Sequence, residues 1–128
     1  MLSSLSIATG RILLGLYFFI PGLMKVADPA ATVAYMEAHQ IPFAAPLMWV
    51  AAVTNILGGL LLMIGWQVKF VAYGFALYVI LVNLMLHNFW AMEGDMVTHE
   101  TQNFIKNLGI FAGLLVLAGN ARLRPANQ

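Results

Sequence analysis

The chain has 128 residues, 62% hydrophobic and only 9% charged. Water-soluble domains carry about 25% charged residues, so a soluble globule is excluded, and a net charge of +1 gives no electrostatic basis for binding nucleic acid. Cysteine is absent, which removes disulfides, thiol nucleophiles and thiolate metal ligands from the chemistry of this subunit.

The length suits one unit of four spans with short connections. The amino terminus has no basic stretch leading to a small-residue cleavage site, so it is expected to be mature sequence. Crossing ~30 Å of hydrocarbon takes about 20 residues of helix. Apolar runs at residues 4–24, 43–64 and 68–90 meet that length, and a slightly short one covers 103–118. A lipid-embedded backbone must satisfy its own hydrogen bonds, which selects helices here. The expected architecture is all-α, a single integral membrane four-helix bundle.

In the first span Arg11, Gly15, Phe18, Gly22 and Lys25 recur at spacings of four and three, which puts them in one stripe. Its glycines admit a neighbouring helix. Arg11, about two turns inside, is within snorkelling reach of the headgroups. Residues 25–42 contain Asp28-Pro29, an N-cap followed by proline at the first helical position. A short helix over 30–40 is therefore expected along the membrane surface, offering Val33, Tyr35 and Met36 to the interface.

The second span repeats Ala51, Asn55 and Gly59 every four residues, and the tight link Gly65, Trp66, Gln67 makes a hairpin with the third. There Tyr73, Ala76, Ile80, Asn83, His87 and Trp90 share a face. Residues 91–102, with Gly94 and three acids, read as an exposed loop. The fourth span offers Asn103, Lys106 or Asn107, Ile110 and Gly113. These small or polar seams should turn inward, leaving Leu, Ile, Val and Phe to lipid.

Charge is segregated by side. All five acids, Asp28, Glu37, Glu93, Asp95 and Glu100, fall in the two longer links, whereas Arg11, Lys69, Arg122 and Arg124 share the opposite side. The positive-inside rule then predicts an N-in, C-in protein with both longer links outside. Lys25 and Lys106 are the exceptions on the acidic side.

Ionisable groups inside a membrane default to a functional hypothesis. His87 fits an aromatic interface belt with Phe89 and Trp90, or a proton-exchanging site, since imidazole both donates and accepts and titrates near neutral pH. Lys25, Asn83, His87, Lys106 and Asn107 form the candidate ligand-binding set, suited to an electron-rich carbonyl, a quinone head or an anion. Gly15, Gly22, Asn55 and Gly59 are the candidate helix-packing set. Mid-span Asn55 and Asn83 can also act as interhelical glue worth about 1 kcal/mol each. His39 and His99 are expected in loops, no i,i+4 histidine pair occurs, and no metal site is expected. No phosphate loop, serine triad or paired catalytic carboxylate is visible.

Arg11-Ile12-Leu13-Leu14-Gly15 through Gly22-Leu23-Met24-Lys25 resembles the opening signature of the DoxX family of small bacterial membrane proteins. The resemblance continues through Asn55-Ile56-Leu57-Gly58-Gly59, Leu86-His87-Asn88-Phe89-Trp90 and Asn103-Phe104-Ile105-Lys106-Asn107. It covers about residues 8 to 118, and its strength lies in the order and spacing of short motifs. It implies a multi-pass protein of the bacterial inner membrane, associated with respiratory or redox complexes. The family name comes from a thiosulfate-oxidising, quinone-reducing system. The implied role is an accessory or anchor subunit without an intrinsic cofactor, with quinone as the candidate ligand. Its implied partners are the lipid bilayer and a membrane or redox protein, or further copies of itself. An enzymatic role would exist only within such a complex. The alternatives are a non-enzymatic assembly subunit and, less favoured, a small transporter. The family often has glutamate where this chain has Asn55, so a carboxylate's proton-carrying role does not carry over.

Overall fold

The computed structural model describes residues 1–121, which form five α-helices and no strand. They are α1 Leu2–Ala27, α2 Pro29–Ala38, α3 Ala44–Ile64, α4 Val68–Leu86 and α5 Asp95–Asn120, with a 3₁₀ turn at Phe89–Ala91. Four helices are long and apolar enough to cross a membrane: α1, α3, α4 with its 3₁₀ extension, and α5. The short helix between the first two spans starts where the sequence signals it. Pro29 occupies its first turn and Asp28 Oδ1 accepts from the Ala31 amide at 3.2 Å. Met36 then packs with Ile41, Ala44, Met48 and Ala52, fastening α2 to the start of α3.

Two boundaries differ from expectation. Residues 91–102 are an exposed loop only as far as Gly94: α5 begins at Asp95, directly after that glycine, whose φ of 73° and ψ of −148° suit glycine alone. An acid in the first helical turn complements the helix dipole. At 26 residues α5 is about 39 Å long, so its acidic first turns can extend beyond ~30 Å of hydrocarbon. His99 is accordingly helical, and His39 is the C-cap of α2. The second difference is that α4 stops at Leu86. His87 is its C-cap, with its amide on the Asn83 carbonyl at 3.2 Å. Trp90 therefore leaves the Asn83 stripe, and the ring of Phe104 instead meets Phe89 and Trp90 edge-on at 5.4 and 5.8 Å.

The bundle is organised as two pairs, α1 with α3 and α4 with α5; α3 and α4 touch only briefly despite their tight turn. A Cβ on Gly59 would lie 2.7 Å from the Gly15 carbonyl oxygen, so α1 and α3 approach backbone to backbone. The pairs meet where Phe18 stacks on Phe75 with ring centroids 3.8 Å apart. Leu62, Ala72, Val79 and Leu114 complete this core.

The end opposite the acids holds two cations against helix C-termini. Arg11 does not merely snorkel; it donates to the carbonyls of Leu62 at 2.6 Å and Met63 at 3.0 Å. Lys69 donates to those of Ala118 at 3.0 Å and Ala121 at 3.3 Å. Both cap the partial negative charge of a helix terminus. Arg122 and Arg124 lie outside the described residues. Arg11→Ala leaves two part-buried carbonyls without this donor, and the expected cost is about 1–2 kcal/mol. Reversible unfolding in mixed micelles measures it, with Arg11→Lys expected to recover part of the loss. An Arg11→Ala protein as stable as wild type would show that the contact contributes nothing.

Candidate functional site

At the acidic end three elements converge on one carboxylate. Glu100, on the second turn of α5, is 2% exposed. One of its oxygens pairs with Nδ1 of His87 at the end of α4. The other accepts from the Tyr35 hydroxyl of α2 at 3.4 Å. Burial, then the charge of Glu100 and the hydrogen bond to it, push the Tyr35 phenol up to about 12. Tyr35 is therefore a neutral donor throughout the neutral range. A buried carboxylate is tolerable only when paired and hydrogen-bonded, and α2 and α4 supply both partners.

Beside this clasp lies a cavity of about 380 Å³ to which all four spans contribute. Its polar wall consists of Tyr17 and Lys25 from α1, Asn55 from α3, Tyr78 from α4, then His87, and Asn103, Lys106 and Asn107 from α5. That volume is within the roughly 300–1,000 Å³ of small-molecule sites. The Tyr17 hydroxyl donates to Asn107 Oδ1 at 3.2 Å, and both residues line the cavity. Asn55 is 3% exposed, and its Oδ1 has no hydrogen-bond partner among the described residues.

Of the five proposed ligand residues, Lys25, His87, Lys106 and Asn107 line this cavity, and Asn83 does not. Asn83 lies between α4 and α5, 1% exposed, and donates from Nδ2 to the Phe104 carbonyl at 3.1 Å. Asn55, assigned to packing, lines the cavity as well as the α1–α3 seam: a Cβ on Gly22 would come 3.0 Å from its Cβ. Gly15 and Gly59 lie deeper in that seam. Sequence reasoning missed Glu100 and Tyr35 as site residues. The available signal was periodic: Glu100, Asn107 and Leu114 recur every seven residues, and all three are buried.

The family model for DoxX matches residues 6–88, the segment from α1 to just past His87. Inner membrane protein YphA of Escherichia coli (strain K12) is 31% identical over 108 residues, covering 84% of this chain and 77% of that protein. Inner membrane protein YqjF of the same organism is 31% identical over 118 residues, covering 91% and 85%. No solved structure matches. Four membrane-length helices and relatives in the inner membrane make this a multi-pass inner-membrane protein. Its first three spans match the family model and most of its length aligns with both relatives, so the chain belongs to the DoxX family.

Proposed function

We propose that this protein is an accessory subunit of a quinone-linked redox system and that the cavity beside Glu100 receives the quinone headgroup. The observation carrying this reading is that every span delivers a polar side chain to one cavity: Lys25, Asn55, His87 following α4, and Lys106 with Asn107. Ammonium and amide donors suit the carbonyl oxygens of such a ring, and two lysines favour any negative charge that develops there. His87, held through Nδ1 by Glu100, keeps its other ring nitrogen to accept or give a proton. Electrons would be supplied by a partner protein, with quinone as the diffusible carrier. Gly15, Gly22 and Gly59 are occupied between α1 and α3, so a purely structural subunit would have to dock through another surface.

The test is quinone retention after gentle detergent extraction, quantified by mass spectrometry. A Lys25→Ala, His87→Ala double variant is expected to retain about tenfold less than wild type. Equal retention refutes the pocket assignment.

The same reading places the acidic end outside and the Arg11–Lys69 end in the cytoplasm, following the positive-inside rule. A chain without cysteine makes labelling unambiguous. In sealed cells an impermeant maleimide is expected to label Glu93→Cys and spare Trp66→Cys, and the reverse pattern means inverted topology.

A further inference from the structure

At the end opposite the acids the helices enclose a separate cavity of about 270 Å³. Its polar wall consists of Arg11 from α1, Gln67 from the α3–α4 turn, Lys69 from α4 and Asn120 from α5. Two cations therefore share one small cavity. Neither has a side-chain carboxylate within ion-pair distance among the described residues, where the sole such pair is His87 with Glu100. Both are fixed before any ligand arrives. Both bonds of Arg11 leave from Nη1, which spares the Nη2 and Nε donors of the guanidinium. Gly65 makes room for that group, since a Cβ there would lie 2.6 Å from Nη1. Lys69 uses two of its three donors on Ala118 and Ala121. A helix C-terminus carries roughly half a negative charge, so the two capped termini together offset about one of the two cations. A surplus of about one positive charge remains in a part-buried cavity. The adjoining first turn of α4 has no side-chain cap, and its orphan amides favour an anion further.

We infer that this cavity is a phosphate site, in which Arg11 and Lys69 hold one oxyanion group carried by an anionic lipid headgroup or by a soluble phosphate. The guanidinium fork matches two oxygens of a phosphate, and a third is left for the ammonium. A carboxylate has only two oxygens to divide between the same donors. The cavity lies where α3 ends and α4 begins, and the ends of membrane-length helices stand at the headgroup layer on either side of a bilayer. Basic pockets between spans recognise anionic headgroups at this level. At about 270 Å³ the space is below the roughly 300 Å³ at which drug-sized sites begin, and it suits a single phosphate group. Ile7 and Leu117 complete the wall with apolar surface, against which the first carbons of an acyl chain can lie.

Titration calorimetry on the purified full-length protein in nonionic detergent compares three probes: phosphatidylglycerol, phosphatidylcholine with the same chains, and inorganic phosphate. Wild type is expected to bind phosphatidylglycerol about tenfold more tightly than phosphatidylcholine. Gln67→Glu puts a carboxylate in the cavity at unchanged size and is expected to abolish that preference. Gln102→Glu makes the same change in net charge at the exposed, acidic end of α5 and should preserve it. If Gln67→Glu fails to fold, Lys69→Gln removes one cation, keeps a donor for the α5 carbonyls, and is expected to act alike. Saturable binding of inorganic phosphate without a lipid preference, weakened about tenfold by Gln67→Glu, assigns the same chemistry to a soluble phosphate. The inference is overturned if the wild type neither prefers phosphatidylglycerol nor binds inorganic phosphate. It is equally overturned if Gln67→Glu and Gln102→Glu weaken binding alike, or if neither does. None of these substitutions touches a residue lining the cavity beside Glu100, so the quinone proposal stands or falls separately.

Discussion

Glu100→Ala is expected to be among the most damaging single substitutions in this protein, costing about 3 kcal/mol, the lower end of what breaking a buried pair costs. The carboxylate is 2% exposed and is the common partner of His87 and Tyr35. Removing it strands a histidine and a phenol at the junction of α2, α4 and α5. The lower end applies because Tyr35 is 37% exposed and water can replace part of its bond. Glu100→Gln keeps the shape and one acceptor oxygen but loses the charge, so it should cost about half as much. Reversible unfolding in mixed micelles gives both values, and Tyr35→Phe completes a cycle isolating the phenol's share. A Glu100→Ala protein within about 0.5 kcal/mol of wild type would mean that the clasp contributes little. Ligand binding should fall in parallel, because the histidine loses the group that fixes its orientation.

That clasp also shows where the sequence stops being legible. The four spans follow from hydrophobic length, and α2 from the Asp28-Pro29 cap, because each signal is local. Lys25, His87, Lys106 and Asn107 could be placed on one side because charge segregation and helical period fix axial position. Glu100 was harder to read: Glu93, Asp95 and Glu100 together depress the hydropathy that marks a span, which left only the seven-residue period shared with Asn107 and Leu114 as a signal. Its burial depends on a histidine beyond the end of α4 and a tyrosine on α2. Those partners are 13 and 65 residues away in the chain, and the geometry between them comes only with the fold. The pairing of α1 with α3 was equally hidden. A tight turn promises that α3 and α4 are neighbours, yet the glycines of α1 give α3 a closer partner.

The second large effect concerns that glycine seam, and it bears on the site as well as on stability. A Cβ at Gly59 would meet the Gly15 carbonyl oxygen at 2.7 Å and the Phe19 backbone nitrogen at 2.9 Å. Backbone atoms cannot rotate aside as a side-chain end can, so the helices must separate. Overpacking of this kind costs about 1–3 kcal/mol, and Gly59→Ala is expected near the upper end. Gly74→Ala, where nothing lies within 4 Å, is the matched control. There alanine's better helix propensity should leave stability unchanged or raise it by up to about 1 kcal/mol. Closer to the cavity, a Cβ at Gly22 would press the Asn55 side chain at 3.0 Å and the Ile56 backbone nitrogen at 3.1 Å. Since α1 also carries Lys25, Gly22→Ala should shift the two cavity groups relative to each other and weaken ring binding by about tenfold. Gly74 does not line the cavity, so Gly74→Ala should leave binding intact. If Gly22→Ala and Gly74→Ala bind the quinone ring equally, the seam governs stability alone and the position of Asn55 does not set affinity.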